Sequence, residues 1–216
     1  MQSSQHKVSL LCLFFAGFYA TWTLWAFLLV QCRELNRGGV LRAAVRVAIW
    51  VVPVLLFVRL VEGPPVLDRL GLRGGARRGV ATGLAGFVVL LLLAAVRRGF
   101  LAPHLRLPTD VATWLNAVLT APLAEELVFR GLIFRVLREH YRVPVALLAS
   151  AVLFASIHLP YWWMAGQMTG AALTLQLAVM FGYGLLFAAL FQWSASLWSP
   201  LVCHWLNNLL MVSLRP

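Results

Sequence analysis

Residues 8–30 read VSLLCLFFAGFYATWTLWAFLLV, and this stretch of 23 residues contains no charged side chain. An α-helix rises about 1.5 Å per residue, so a helix of this length crosses a hydrocarbon core of roughly 30 Å. A secretory signal, the other interpretation of an apolar N-terminal stretch, has an apolar core of only about 7 to 15 residues before its cleavage site. Residues 8–30 therefore predict a transmembrane helix.

Similar apolar runs recur along the chain, and the composition agrees with them. Hydrophobic residues make up 62% of the 216 residues and charged residues only 12%, which is about half the charged fraction of a soluble domain. The balance excludes an ordinary soluble domain. We predict an all-α, polytopic membrane helix bundle with about seven transmembrane helices, at residues 8–30, 47–61, 80–96, 111–134, 143–158, 171–192 and 197–214.

The chain has no Ser-rich, Gly-rich or Pro-rich linker, so we interpret residues 1–216 as a single integral membrane domain. Residues 1–96 contain N-terminal helices without recognisable motifs, whereas residues 111–214 form a helical core that carries the polar residues considered below. Residues 67–79 read LDRLGLRGGARRG and predict a short, basic connector at the membrane surface.

Lys and Arg number 18 against 7 Asp and Glu, a formal net charge of +11 that in a soluble protein would suggest nucleic-acid binding. The basic residues instead lie between the apolar runs, which is typical of charges that meet anionic headgroups. They are Arg33, Arg37, Arg42, Arg46, Arg69, Arg73, Arg77, Arg78, Arg97, Arg98 and Arg106. We therefore expect the lipid bilayer, and no nucleic acid, as their partner. The charges on alternate loops are nearly equal, so they predict no membrane orientation.

The three cysteines, Cys12, Cys32 and Cys203, are widely spaced and form no CxxC pair. Neither a disulfide framework nor a cysteine-based metal centre is predicted. Cys12 and Cys203 lie inside apolar runs, where a free cysteine behaves as a small hydrophobic residue.

Two adjacent carboxylates, Glu125 and Glu126, interrupt an apolar helix in the sequence TAPLAEELVFRGLIFRVL. A charged side chain at the centre of a membrane helix costs about 2.5 to 3.5 kcal/mol, which makes an intramembrane ionisable residue a functional candidate. Arg130 lies four residues after Glu126 on the same helix face, while Glu125 points about 100° away. One glutamate is thus expected to be structural and the other chemical. The alternative is a buried ion cluster in which both bind Arg130 and Arg135.

Three further polar residues lie in the apolar segments that follow: His158, and His204 with Asn208 four residues later on one face. If antiparallel helices turn near Arg142, Glu125 and His158 both lie roughly 22 to 24 Å from that turn. Asn208 comes close to the same level, and His204 falls a turn or more short. The spacing therefore favours one polar site within the bundle.

Three motifs of polar and aromatic residues occur in order on these successive segments. They are EExxxR at Glu125, Glu126 and Arg130, FxxxH at Phe154 and His158, and HxxxN at His204 and Asn208. With these motifs the chain resembles the CPBP family of intramembrane glutamic proteases, which includes the type II CAAX prenyl endopeptidases and bacteriocin-processing enzymes. The resemblance covers roughly residue 111 to the C-terminus.

The resemblance implies an intramembrane endopeptidase that uses a glutamate and needs neither a metal nor another cofactor. By analogy, Glu125 would be the general base for a water molecule, and His158 would position and polarise that water. His204 and Asn208 would stabilise the oxyanion of the tetrahedral intermediate.

Three motif residues are expected to support the site. Glu126 and Arg130 would hold their helix in place, and Phe154, one turn before His158, would pack beside the site. An aromatic residue at helical spacing is more often structural than catalytic.

A metal-dependent membrane protease using the same residues is the nearest alternative, because two histidines and a glutamate are also a catalytic zinc ligand set. The HExxH motif is absent and the two histidines lie on different segments, which disfavours that alternative but leaves it open. A transporter, a channel or a membrane scaffold would also retain His and Glu inside a bundle. The internal repeat that is usual in a transporter or channel is not found. Cys203 and His204 diverge by about 100° and make a poor thiol dyad.

The expected substrate is a membrane-anchored protein or a hydrophobic peptide. Family activities include processing of C-terminal sorting signals, of bacteriocin-like peptides and of CAAX-type tails, and the sequence does not choose among them. A single Lys among the 18 basic residues, with many Arg, Ala, Leu and Gly, suggests a GC-rich bacterial gene. We therefore expect a multi-pass protein of the bacterial inner membrane.

Overall fold

The computed structural model describes residues 2–32, 34–35, 38–97 and 105–214, and all regular structure within these ranges is helical. Eight helices are labelled in chain order. They are α1 (Gln2–Gln31), α2 (Gly39–Glu62), α3 (Ala76–Arg97), α4 (111–140), α5 (Val143–Ser156), α6 (Leu159–Met164), α7 (Gly170–Ser194) and α8 (Trp198–Ser213). The side chains of Arg33, Arg37, Arg97 and Arg98, which we expect at the headgroups, lie outside the described residues.

The predicted all-α membrane bundle is confirmed, and each predicted span coincides with helix. Within the described residues, five segments are long and apolar enough to cross a membrane: Gln5–Gln31, Gly39–Glu62, Ala76–Val96, Val143–Met164 and Gly170–Ser194. The remaining two predicted spans are α4, whose apolar sequence carries the charged motif residues, and α8, which has 16 residues.

The outer surface of the bundle is apolar, as a lipid-facing surface must be. Leu60 is 79% exposed, Trp193 75% and Leu13 71%. Soluble proteins rarely expose such residues in large numbers. The described helices therefore form an integral membrane protein.

Successive long helices run in opposite directions. Near one end of the bundle, Arg138 Nη1 on α4 donates to Gln192 Oε1 on α7, and the backbone N–H of Leu197 donates to the carbonyl of Gly71 at 2.9 Å. At the other end, Arg106 N donates to the carbonyl of Ser213 at 3.0 Å. Helices α4, α5, α7 and α8 therefore alternate in direction, as the depth comparison of the motif residues assumed.

Helix α2 begins at Gly39, well before the predicted start at residue 47. The sequence pattern treated Arg42 and Arg46 as charges outside the helix. The interpretation of Arg46 as a headgroup contact is wrong, because this side chain is 8% exposed and donates to the backbone of α4. A buried acceptor lets the helix carry an arginine that hydropathy alone places at the membrane surface.

The connector between α2 and α3 packs against the bundle. It contains one helical turn, Val66–Arg69, and the following Leu70 is fully buried. The predicted connector at 67–79 is shorter in the structure, because α3 begins at Ala76.

Small residues allow two helix pairs to pack closely. A Cβ atom at Gly184 of α7 would lie 2.8 Å from Cα of Ala151 of α5, and one at Gly83 of α3 would lie 2.5 Å from the carbonyl oxygen of Ser199 of α8. Membrane helix interfaces are enriched in glycine for this reason.

Four charged side chains join α1, α2 and α4 at one end of the bundle. Glu62 accepts from Arg135 Nη2 at 2.7 Å and lies 3.5 Å from Lys7 Nζ, although its side chain is only 2% exposed. Glu139 accepts from both cations as well. This ion cluster links the N-terminal helices to the helix that carries the paired glutamates.

Replacing Gly184 by Ala should force α5 and α7 apart, and such overpacking costs about 1 to 3 kcal/mol. We expect the Gly184→Ala protein to unfold roughly 2 to 12 °C below the wild type in detergent micelles, measured by tryptophan fluorescence. The control is Gly182→Ala on the same helix, where an added Cβ meets no atom within 4 Å. Equal unfolding temperatures for the two variants would contradict the close packing of α5 and α7.

Glu62→Gln should destabilise the protein, because Arg135 loses a buried charged acceptor. Hydrogen bonds to charged groups contribute about 1.5 to 3 kcal/mol, and we expect a loss of stability in this range by thermal unfolding. The control is Asp68→Asn, since Asp68 is 45% exposed and lies 3.9 Å from Arg73. If Asp68→Asn lost as much thermal stability as Glu62→Gln, the buried ion cluster would contribute no more to stability than the exposed ion pair.

Candidate active site

Helix α4 contains a π-helical segment, which is wider than an α-helix and ends just before Pro122. Residues Trp114–Thr120 are π-helical, so each N–H donates to the carbonyl five residues earlier, and Ala121 N donates to Asn116 in this way. Pro122 follows and has no N–H. The carbonyl of Ala117 is therefore left without its partner inside the helix.

Side chains of α2 and α8 donate hydrogen bonds to backbone carbonyls in this segment of α4. Asn208 Nδ2 on α8 donates to the carbonyl of Ala117 at 2.9 Å, and Arg46 Nη1 on α2 donates to that of Asn116 at 2.7 Å. Trp205 Nε1 donates to the carbonyl of Leu119 at 3.1 Å. The turn of α4 that precedes the paired glutamates is thus fixed from both sides.

Glu126 is a fully buried carboxylate at the centre of the described bundle. Its Oε1 accepts from Arg130 Nη1 at 3.2 Å and from His204 Nδ1 at 2.8 Å. The side chains of Glu126 and Arg130 both have 0% exposure. Glu126 therefore binds α8 as well as its own helix, a contact to His204 that the sequence spacing did not predict.

Arg130 is held by a carboxylate, a backbone carbonyl and two aromatic rings. Its Nη2 donates to the carbonyl of Gly184 at 3.0 Å, and its Cζ lies 4.4 Å from the ring centre of Phe154 and 5.2 Å from that of Phe187. Aromatic faces attract a cation in a desolvated place. Phe154 thus packs beside the site, where the motif places it.

His204 lies between the two glutamates. Because Nδ1 bonds to Glu126, the other ring nitrogen, Nε2, faces Glu125 and lies 3.8 Å from its Oε2. The ring of Phe187 stacks on the imidazole with centroids 4.6 Å apart. A histidine with one nitrogen bound to a carboxylate has a fixed orientation.

His158 lies at the break between α5 and α6. Its Nδ1 is 3.0 Å from the carbonyl of Phe154, and a carbonyl only accepts, so Nδ1 is the donor and Nε2 is left for another partner. The carbonyls of Ser156 and Ile157, at the end of α5, accept from Tyr19 Oη at 3.1 Å and Trp22 Nε1 at 2.7 Å. Helix α1 therefore fixes the backbone next to His158.

Glu125 and His158 face a common cavity of about 130 Å³. Glu125 is 14% exposed, in contrast to the fully buried Glu126. The residues that line the cavity are Trp22, Arg42, Arg46, Trp50, Glu125, Ile157, His158, Tyr161 and Trp162. Six of the nine residues belong to motif-free parts of α1 and α2 or to α6, and the sequence motifs did not include them. The four-residue spacing of Arg42 and Arg46 on one helix face is the signal that would have found the two arginines.

The structure brings together Glu125, Glu126, Arg130 and His204, and it places His158 on the same cavity as Glu125. Asn208 is a partial exception, because its Nδ2 is engaged with α4 at the carbonyl of Ala117.

The geometry bears on two alternatives raised by the sequence, a thiol dyad at Cys203 and a metal site. Cys203 is fully buried, and its Sγ would lie 3.4 Å from a Cβ at Gly86 of α3, so the thiol packs on that helix and not beside Glu125. Across residues 2–32, 34–35, 38–97 and 105–214, no three His, Cys, Asp or Glu side chains are grouped as metal ligands.

The described residues thus define an integral membrane helix bundle in which Glu125 shares a cavity with His158 and lies 3.8 Å from His204. Residues 107–210 match the family model described as type II CAAX prenyl endopeptidase Rce1-like. This region contains all three motifs and supports a relationship to the CAAX protease family. That family implies a protease whose substrate is a membrane-associated protein in a lipid environment. No curated protein and no solved structure matches the chain.

Replacing Arg130 by Met should leave Glu126 buried without its cation, and breaking a buried ion pair in this way costs about 3 to 5 kcal/mol. We expect a large fall in thermal stability for Arg130→Met. The exposed Arg59→Met is the control and should be close to wild type. The double variant Glu126→Leu/Arg130→Met should recover much of the loss, because the uncompensated charge is gone. No recovery would show that Glu126 carries no buried charge.

Proposed function

We propose that this protein is an intramembrane glutamic endopeptidase that hydrolyses a peptide bond in a membrane-anchored protein or hydrophobic peptide. The observation that supports it most is the arrangement around Glu125. This carboxylate is partly accessible at a cavity that it shares with His158, and His204 Nε2 lies 3.8 Å from its Oε2. A base with two histidines around it is suited to activating water.

In the proposed reaction, Glu125 takes a proton from a water molecule as the water oxygen attacks the scissile carbonyl. His158 Nε2 orients that water, because its Nδ1 is occupied by the carbonyl of Phe154. The tetrahedral intermediate then collapses, the C–N bond breaks, and the proton on Glu125 passes to the leaving amine. The carboxylate returns to its starting state without a metal or cofactor.

The oxyanion needs donors, and we assign this role to His204 and Asn208. In the proposed step His204 acts as an imidazolium, in which both ring nitrogens carry a hydrogen, so that Nε2 donates to the oxyanion while Nδ1 donates to Glu126. Asn208 Nδ2 carries two N–H bonds, and the bond to Ala117 uses one of them. The second is available to developing charge. Removing one oxyanion donor typically costs about 10²- to 10³-fold in rate.

The supporting residues act through these four. Glu126 positions His204, Arg130 neutralises Glu126, and Phe154 packs on the guanidinium of Arg130. These contacts hold the catalytic side chains without touching the substrate.

We propose the bacterial inner membrane as the location, from the composition of the chain. Hydrophobic peptides, C-terminal sorting signals and CAAX-type tails are the substrate classes that suit the family and a site inside the bundle.

Glu125→Gln should abolish proteolysis, because an amide cannot accept the proton from water. We expect a fall of about 10²- to 10⁴-fold, the contribution typical of a general base. The assay uses proteoliposomes and a mixture of acyl-anchored peptides with varied hydrophobic C-terminal residues, with products read by mass spectrometry. The control is Glu34→Gln, an exposed glutamate outside the bundle interior. A chelator should leave the wild-type rate unchanged.

Full activity of Glu125→Gln would overturn the glutamate mechanism. Loss of wild-type activity on chelation, restored by a divalent metal, would instead support the metal-dependent alternative.

A further inference from the structure

A groove of about 600 Å³ lies between α3, α7 and α8. Its rim on α3 is open to the surrounding lipid, because Leu93 is 61% exposed and Val89 51%. Apart from Tyr183 and Asn207, the described residues that line it are apolar. A lipid-facing groove with a buried amide is unusual, and the amide indicates what the groove binds.

Asn207 lines the groove, is only 4% exposed, and has no hydrogen-bond partner among residues 2–32, 34–35, 38–97 and 105–214. The neighbouring Asn208 differs, because its Nδ2 donates to the carbonyl of Ala117. A side-chain amide has two N–H donors and an acceptor oxygen, and burying it without partners is costly. The amide of Asn207 therefore presents unused hydrogen-bonding capacity to whatever occupies the groove.

The groove lies near the middle of the membrane. Gly182, one of its lining residues, is twelve residues from either end of α7, or roughly 18 Å. Asn207 is nine residues after the start of α8, roughly 13 Å from the end where α7 and α8 join. The amide is thus within about one turn of the centre of α7. Water and lipid headgroups do not reach this depth.

A transmembrane helix suits the groove better than the acyl chain of a lipid. Methylene groups cannot pair with an amide, whereas Asn and Gln side chains hydrogen-bond across helices inside membranes. Gly182 leaves room for a helix backbone, since a Cβ there meets no atom within 4 Å. From Val179 to Leu186 the groove extends roughly 10 Å along α7, which is two turns of a helix.

We propose that this groove binds a transmembrane helix of a partner membrane protein, and that an Asn or Gln side chain near the middle of that helix pairs with Asn207. Two side-chain amides can exchange an N–H···O bond in each direction, which satisfies both in a place without water. The apolar remainder of the partner helix packs on the walls that α3 and α7 provide.

The groove is separate from the cavity that contains Glu125, and no described residue lines both. The ring of Tyr183, in the wall of the groove, stacks on Phe187 with centroids 5.9 Å apart, and Phe187 stacks on His204. These rings stand between the groove and the proposed catalytic residues. The partner helix is therefore distinct from the segment to be cleaved, and this inference does not depend on the proposed peptidase function.

The test measures how two model helices bind to the full-length protein in phosphatidylcholine proteoliposomes. Each is a Lys-flanked Leu/Ala helix with a dansyl group and no tryptophan, and one has Asn at its centre where the other has Leu. Energy transfer from the tryptophans of the protein to dansyl gives the affinity. We expect the Asn helix to bind roughly 3- to 30-fold more tightly, the range typical of a hydrogen bond between membrane helices.

Two variants locate the binding. Asn207→Leu should lower the affinity for the Asn helix to that for the Leu helix, whereas Gln176→Leu, at an amide of α7 outside the groove lining, should keep the wild-type difference. Gly182→Leu fills the groove and should weaken the binding of both helices. Its control is Gly17→Leu on α1, where an added Cβ also meets no atom within 4 Å. Gly182→Leu decides the question if Asn207→Leu does not fold.

Each contrary result has a distinct meaning. Equal affinity of the wild type for the two helices overturns the pairing with Asn207, and unchanged binding in both Asn207→Leu and Gly182→Leu overturns the groove as the site. If neither helix binds, the partner helix is wrong. A phospholipid that mass spectrometry finds on the purified wild type and not on Gly182→Leu then assigns the groove to a lipid. A dimer that Gly182→Leu dissociates in detergent assigns it to a second copy of the chain.

Discussion

One carboxylate oxygen, Oε1 of Glu126, carries the contacts on which the centre of this protein depends. It accepts from Arg130 on its own helix and from His204 on α8, in a place that water does not reach. In such surroundings an unpaired charge is expensive, so each of the three groups requires the other two. The result is that His204 has one orientation, and its free nitrogen faces Glu125. The two adjacent glutamates thus differ in role. Glu126 fixes the orientation of His204, and Glu125 lines the cavity.

The widened turn of α4 shows how a local defect becomes a docking point. Pro122 leaves the carbonyl of Ala117 without a donor inside the helix, and a lipid environment cannot supply one. Asn208 satisfies it from α8, and Arg46 reaches the neighbouring carbonyl of Asn116 from α2. A backbone that would be unstable alone therefore selects its neighbours, and the two helices that it selects carry His204 and the arginines of the cavity.

Much of this arrangement follows from the sequence, and the failures have a common cause. Hydropathy identified the membrane bundle, and the four-residue spacing paired Glu126 with Arg130, because helix periodicity is a local property of the chain. The contact between Glu126 and His204 depends on where α8 lies, which no spacing records. The prediction that Arg46 contacts the headgroups was wrong for the same reason, because its acceptor lies on another helix. Hydropathy predicted about seven spans, whereas five segments are long and apolar enough, because the helices that carry the chemistry are shorter or more polar than the others.

The donors that hold the end of α5 come from α1, which lies far away in sequence. Tyr19 and Trp22 bind the carbonyls of Ser156 and Ile157, directly before His158. A search that reads only residues 107–210 recovers every motif residue but neither of these two donors. Two chains with identical motifs can therefore differ in how firmly the histidine is held. For proteins of this architecture, the aromatic residues of the first helix indicate how firmly this histidine is positioned, which the motif residues alone do not.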